Sequence, residues 1–361
     1  MPTLFDPLPV RDLTLRNRVG VSPMCMYACE ARDGLATPFH VAHLGARALG
    51  GAGLVFTEAT SVTEDGRISP EDLGLWSDGH AAALRPVVDA VHAGGAAIGV
   101  QLAHAGRKAS TYRPYGAPRR GVVPAAEGGW TPVGPSDVPF REGDPAPRAA
   151  SEADLAGIVR AFADAAARAD AIGVDVVEVH AAHGYLLHSF LSPLGNPRTD
   201  GWGGDWAGRT RLVREVVAAV REVWPAGKPL FVRLSAVDGA EGGWTVEDSV
   251  RLAGELAPLG ADVVDASGGG VRPGARPDVG PGGQVPWAEA IRRGAPVATA
   301  AVGGLHDPVL AASVVEDGRA DLVLIGKGML HDPFWVQHAA EALGVRAPWP
   351  AAYGWAVAPD D

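Results

Sequence analysis

The sequence predicts an α/β fold, a single (β/α)₈ barrel, and three observations carry that prediction. Eight short apolar segments recur along the chain, and most alternate with segments of helical pattern. No G-x-G-x-x-G fingerprint follows an early strand, where a doubly wound dinucleotide-binding sheet would carry it. Finally, Val177 to Gly204 begins as an apolar strand, passes His180, His183 and Tyr185, and empties into a polar run dense in Gly, Asn, Arg and Asp. A buried strand ending in such a loop is what a barrel presents at the carboxyl end of its strands, where sites are built.

Taken in order, a Pro-punctuated arm leads to a first strand over Arg16 to Pro23, which runs into Met24-Cys25-Met26-Tyr27. His40 to Gly50 is helical in pattern, and Gly51 to Ala59 is an apolar run short enough for a buried sheet. A helix over Ala81 to Ala93 precedes a third strand, Ala96 to Leu102. The irregular Gly/Pro-rich stretch from Arg107 to Arg148 is long for a connection, and such connections are often functional caps. Ser151 and Asp154 match a helix-start signal, and strand four follows at Val174 to Val179. A helix over about Arg209 to Val223 leads to strand five, Pro229 to Leu234, and a Thr245-capped helix to strand six, Ala261 to Asp265. Helix Pro286 to Arg293 precedes strand seven, Pro296 to Val302, and helix Pro308 to Val315 precedes strand eight, Asp321 to Ile325. The expected organisation is one domain over residues 1–361, with 107–150 as a capping insertion and 345–361 as a C-terminal tail.

Totals narrow the function classes. A net charge of -11 argues against a nucleic-acid partner that needs a broad basic face, though not against one local phosphate site. Cys25 and Cys29 are the only cysteines, so no disulfide framework is expected. The opening MPTLFDPLPVRD lacks the continuous apolar core of a signal peptide, and no apolar run is long enough to span a membrane. A cytoplasmic globular protein is the expectation.

On a barrel, polar residues at different strand ends converge on one face. Reading those ends gathers Cys25, Met26, Tyr27, Glu58, Ala59, Gln101, His104, His180, His183, Tyr185, Arg233, Ser267, Gly303, Gly326 and Lys327. Glycine turns after strands seven and eight are where barrels cradle a phosphate, and Lys327 would add a cation. His180 and His183 admit three readings: a metal pair, a hydrogen-bonded pair in a polar pocket, or donors aimed at a substrate carbonyl or nitro oxygen. In the last, Tyr185 is the neighbouring proton donor. Arg233 is too costly to bury unpaired and should face an anion. Cys25 reads as a small buried hydrophobe or a thiol, and Arg107 with Lys108 as a solvated pair. Trp130 and Phe140 read as packing for the long loop.

These residues also fall into a recognisable set. Leu15 to Arg18, Ser22 to Tyr27, Gln101 to Lys108, His180 to Leu186 and Leu191 to Asp200 together resemble the Old Yellow Enzyme family of flavin-dependent ene-reductases, in its thermophilic-like branch. The resemblance runs from Phe5 to about Pro350. It implies FMN held by Pro23, Met24, Cys25, Ala59, Gln101, Arg233, Gly303, Gly326 and Lys327. It implies that His180, His183 and Tyr27 hold the oxygen of an enone, that Tyr185 supplies a proton, and that Cys25 tunes the flavin. NADPH, or NADH, would reload the flavin in a separate half-reaction, and the chain would assemble as a homodimer or homotetramer. No metal is implied. Where this branch carries an arginine after strand eight the chain has Lys327, and where a C-terminal arginine enters the neighbour's pocket it has Trp355. Trp355 is therefore a substrate-pocket candidate across a dimer. The implied reaction is reduction of the C=C bond of α,β-unsaturated carbonyl compounds; reduction of nitroesters, nitroaromatics or other xenobiotics on the same barrel is the runner-up. A metal-dependent barrel hydrolase and a non-catalytic scaffold are further alternatives.

Overall fold

The computed structural model describes residues 1–117, 119–275, 277–346 and 349–357. Among them, eight parallel strands close into one barrel in chain order. These are β1 (Val19–Val21), β2 (Leu54–Ser61), β3 (Ala97–Ala103), β4 (Val176–Ala181), β5 (Leu230–Ser235), β6 (Val263–Ser267), β7 (Ala298–Val302) and β8 (Leu322–Ile325), and β8 pairs with β1 to complete the circle. The principal crossover helices are α1 (Pro38–Leu49), α2 (Asp78–Ala93), α3 (Glu152–Ala171), α4 (Trp206–Val223), α5 (Val246–Leu256), α6 (Val285–Gly294), α7 (Pro308–Glu316) and α8 (Trp335–Ala342). The (β/α)₈ barrel expected from the sequence is the fold observed.

The strands read as unbroken apolar runs because both faces are covered, one by helices and one by the barrel interior. Alternation along each strand then divides the interior into three levels. At the amino end the inward side chains are apolar: Leu54, Phe56, Val176, Phe231, Val263 and Leu322 form one cluster. Two residues further on, the same faces carry Glu178 after Val176, Arg233 after Phe231 and Asp265 after Val263. Next come His180, Ser235 and Ser267. The barrel is thus dry at its base and polar at its carboxyl mouth. The N-terminal arm does more than lead in: Leu8–Val10 and Leu13–Leu15 form an antiparallel hairpin, and its Leu8, Val10 and Leu15 complete the apolar base.

Helix starts follow the capping rules. Ser151 accepts from the Asp154 N–H at 3.2 Å while the Asp154 carboxylate accepts from the Ser151 N–H at 2.8 Å, and Thr245 and Asp248 repeat the arrangement on α5. β4 begins two residues later than the sequence suggests, because Val174 donates to Ala169 O and still belongs to the end of α3. Among the described residues of 106–150, Thr111 bridges to Val122, Val133–Gly134 pairs with Arg148–Ala149, and Gly106–Lys108 and Ala125–Glu127 form short turns of 3₁₀ helix. The Trp130 indole donates to Asp65 O at 2.7 Å and lies against Arg67, which fastens this connection to the loop after β2.

Candidate active site

The end of β4 carries the densest chemistry. His180 pairs in register with Arg233 on β5 and is buried. Its Nδ1 accepts from the Ala182 N–H at 3.2 Å, which leaves the proton on Nε2. Burial, then the Arg233 charge, holds both His180 and His183 well below the usual histidine range, so both rings are neutral at pH 7. His183 has a left-handed backbone, φ 60°, which a non-glycine residue keeps only when its surroundings fix it. Its N–H donates to Ser235 Oγ at 2.8 Å, its carbonyl accepts from Lys108 Nζ at 2.6 Å, and its Nε2 lies 2.7 Å from Ser267 Oγ. Gly184 continues the turn at φ 74°, where a Cβ would sit 2.0 Å from Gly270 O. That turn delivers Tyr185, whose ring centroid is 5.1 Å from His180 and 6.5 Å from His183. Lys108 Nζ lies 4.7 Å from the Tyr185 ring centroid.

The second wall leaves β1. Tyr27 is also left-handed, φ 51°. Its N–H and that of Met26 donate to Glu58 Oε2 at 3.3 and 3.0 Å, and Glu58 Oε1 is 3.2 Å from His40 Nε2. Glu58 reaches inward because β2 shifts register between Phe56 and Ala59, a bulge of the kind that re-aims side chains beside sites. Burial, then the Asp72 and Glu58 carboxylates, pushes the Cys25 thiol well above its ordinary value. Burial also pushes the Tyr27 hydroxyl up. Cys25 is therefore a thiol rather than a nucleophilic thiolate, and Tyr27 a neutral phenol that can donate.

Below these lies a buried polar floor. Arg233 is 5% exposed; its Nη2 donates to Ser22 Oγ at 3.3 Å and its Nε lies 3.0 Å from Asp265 Oδ2. The last contact is an ion pair out of hydrogen-bond alignment, since neither atom has a hydrogen-bond partner among the described residues. Arg233 was expected to face an anion, and Asp265 is one. Gln101 Nε2 donates to Glu178 Oε1 at 2.7 Å. Burial, then the Asp265 charge, pushes Glu178 up to about 8, so this carboxyl is mostly protonated at neutral pH. After β7, Gly303 and Gly304 have φ 106° and 68°, and a Cβ on Gly303 would come 2.9 Å from the Gln284 side chain. After β8, Gly326 precedes the short helix Lys327–His331, and a Cβ on Gly326 would meet Met24 Sδ at 3.3 Å.

Residues 3–345 match the NADH:flavin oxidoreductase / NADH oxidase family. The chain belongs to this family. It is 47% identical over 354 residues to an NADPH dehydrogenase of Geobacillus thermodenitrificans, covering 98% of each chain. It is 43% identical over 354 residues to the NADPH dehydrogenase of Bacillus subtilis, covering 98% of this chain and 99% of that one. Among solved structures, morphinone reductase in complex with tetrahydroNAD superposes with a TM-score of 0.79 at 30% identity, covering 98% of this chain and 94% of that one. As a member of this NADH:flavin oxidoreductase family, the chain is an oxidoreductase, and the expected FMN and NADPH agree with the family description and with the names of those dehydrogenases.

The residues present fit a flavin mononucleotide. The Gly303-Gly304 turn has no side chains to fill it, and the buried Gln284 Oε1 has no hydrogen-bond partner among the described residues. An unmatched acceptor there suits the hydroxyl of a ribityl chain. Gly326 and Lys327 follow the neighbouring strand β8, Pro23, Met24 and Cys25 follow β1, Ala59 and Gln101 pair in register on β2 and β3, and Arg233 lies in the floor on β5. The structure brings His180, His183 and Tyr185 together, while Tyr27 stands on the wall that leaves β1, its ring centroid 6.1 Å from that of Tyr115. It does not bring Trp355 to them: within one chain this residue is 84% exposed on the helix Ala351–Val357. Among the described residues no group of three or more His, Cys, Asp or Glu side chains is placed to hold a metal ion. Four site residues escaped the sequence reading as members of a site: Lys108, Glu178, Asp265 and Gln284. Lys108 and Arg107 are not a solvated pair, since Arg107 is buried and donates to Val271 O at 2.7 Å.

Proposed function

We propose that this protein is an FMN-dependent, NADPH-driven reductase of the C=C bond of α,β-unsaturated carbonyl compounds. The observation that carries the reading is the neutral His180–His183–Tyr185 cluster at the end of β4, with the cations of Arg233 and Lys108 behind it. When bound, FMN supplies the hydride delivered to the alkene β-carbon. The residues do the rest. His180 donates its Nε2–H to the carbonyl oxygen, and His183, fixed by Ser235, Ser267 and Lys108, orients beside it. Neutral donors stabilise the enolate-like charge as it grows without holding a full charge in the resting pocket. Tyr185 gives the α-carbon its proton, and Tyr27 donates to the same oxygen region. Pro23, Met24, Ala59, Gln101, Arg233, Gly303, Gly326 and Lys327 hold the cofactor, and Cys25 lies beside its ring as a protonated thiol. Residues 107–150 act as a cap on the barrel mouth, and Trp355 of one subunit reaches towards another in a homodimer or a tetramer of dimers. No described helix is long and apolar enough to cross a membrane, and the free thiols Cys25 and Cys29 suit a reducing cytoplasm. Rates on cyclohexenone, a maleimide and a nitroester under the same NADPH supply test the substrate class. The two alkenes should be reduced fastest; a nitroester turned over faster than both would assign the site to nitro compounds instead.

A further inference from the structure

Behind the turn that delivers Tyr185 lies a chain of buried polar groups that the reaction does not touch. His188, on the short helix Leu186–Leu191, and Asp238, in the loop between β5 and α5, are both fully buried. The Gly184 N–H donates to His188 Nδ1 at 2.8 Å, so the ring carries its proton on Nε2. Nε2 faces Asp238 Oδ1 at 2.9 Å, outside hydrogen-bond alignment, and neither atom has a hydrogen-bond partner elsewhere among the described residues. The second carboxylate oxygen is committed: Asp238 Oδ2 accepts from the Trp244 N–H at 2.7 Å and from Ser192 Oγ at 2.6 Å. Burial alone raises the Asp238 carboxyl, but the donors around it, His188 first, hold it below its ordinary range, so it is ionised at neutral pH. A carboxylate only accepts, so Nε2 must donate to it and Nδ1 is left to accept. The Nδ1 lone pair is thereby held on the amide of Gly184, which is buried, left-handed at φ 74° and close against Gly270. On either side of that amide stand His183, itself at φ 60°, and Tyr185. Backbone in this region persists only where its surroundings over-determine it.

We propose that Asp238 and His188 are positioning residues for alkene reduction: the carboxylate selects the imidazole tautomer, and the imidazole anchors the Gly184 amide that sets His183 and Tyr185 at the pocket. The proposal rests on the reading of the protein as an alkene reductase with Tyr185 as its proton donor. Neither residue touches substrate; both act through one backbone N–H. An isosteric change inverts the device. In Asp238→Asn the amide oxygen must keep the Oδ2 position, where two donors converge, so the NH2 turns to His188 Nε2. The ring proton then moves to Nδ1 and confronts the Gly184 N–H, donor against donor. His188→Asn is the complementary change, because its side-chain oxygen can stand near the Nδ1 position and accept from Gly184 whatever occupies position 238.

The test uses the flavin-loaded full-length enzyme with Asp238→Asn, His188→Asn and the double variant. In anaerobic stopped flow, Asp238→Asn should slow reoxidation of the flavin by cyclohexenone about tenfold or more, within the scale of a catalytic group displaced by about 1 Å. Reduction of its flavin by NADPH should change less than about threefold. His188→Asn should stay within about threefold of wild type in both steps, and the double variant should match His188→Asn rather than Asp238→Asn. Hydrogen exchange read by mass spectrometry should follow the same order: faster over the peptide carrying residues 183–186 in Asp238→Asn, and restored in the double variant. Asp238→Asn with wild-type reoxidation, or a double variant as slow as Asp238→Asn, would overturn the proposal and leave Asp238 as packing for its own loop. If Asp238→Asn holds no flavin, the double variant decides: recovered flavin and reoxidation support the proposal, and continued loss overturns it. Wild-type enzyme whose reduced flavin the enone does not reoxidise would instead defeat the alkene-reductase reading, and the exchange pattern would still decide what holds the turn.

Discussion

Tyr185 and Glu178 stand at opposite ends of what a sequence discloses about single residues. Tyr185 follows two histidines in a loop after an apolar strand, and its hydroxyl chemistry is legible from that setting alone. Replacing it with Phe removes one oxygen, and alkene turnover should fall about a hundredfold or more, the usual range for a lost general acid. Flavin reduction by NADPH, followed anaerobically, should change far less; alkene turnover within a factor of about two of wild type would remove Tyr185 from the proton-donor role. Glu178, inside the same apolar strand, is invisible as a site residue, because its partners Asp265 and Gln101 lie on other strands. Its folded-state pKa of about 8 exceeds its ordinary 4.5, so between those values the folded protein holds a proton that the unfolded chain has released. That contribution to stability is complete below about pH 4.5 and is lost as pH rises towards 8. Glu178→Gln should therefore gain stability relative to wild type between about pH 5 and pH 8 in denaturant titrations; a difference independent of pH would contradict the assignment. The neutral histidines act in the opposite sense. His180 and His183 are held below the ordinary value, so the unfolded chain takes up protons that the folded one refuses, and stability should fall as pH drops below about 6.5.

At the scale of elements, what was legible follows from period and punctuation. Apolar runs bounded by Gly and Pro marked the eight strands, and Ser151 and Thr245 marked two helix starts where the capping pairs are present. Thr245→Ala should cost about 1 kcal/mol in urea unfolding, as lost caps do, with little effect on flavin content. The N-terminal hairpin and the helix Leu186–Leu191 were not legible. The hairpin's strands have three residues each, and the short helix sits in a segment whose histidines and tyrosine read as loop chemistry. The β2 bulge at Glu58 was equally hidden, since a register shift leaves no mark in composition. The turn after β4 was legible as a glycine but not as a steric necessity. Gly184→Ala would place a Cβ 2.0 Å from Gly270 O in a left-handed conformation. That change should cost several kcal/mol, on the order of other substitutions at strained positions, and should displace His183 and Tyr185 with it. A variant with wild-type melting temperature and alkene turnover would show that the turn tolerates what the geometry forbids.

For the whole molecule, one design runs through the barrel: an apolar base closed by the hairpin, a buried polar floor of Glu178, Arg233 and Asp265, and a mouth ringed by neutral donors. The sequence disclosed the mouth because barrels gather strand ends, and it concealed the floor because alternation within a buried strand looks the same whichever way a side chain points. The most direct measurement of what this mouth does is an anaerobic visible titration of the purified protein. Oxidised-flavin absorbance should bleach on addition of NADPH and return on addition of cyclohexenone, with the saturated ketone as product. Protein that carries no flavin and takes up none from added FMN, or bound flavin that stays bleached in the presence of the enone, would contradict the assignment of the barrel as a flavin-dependent alkene reductase.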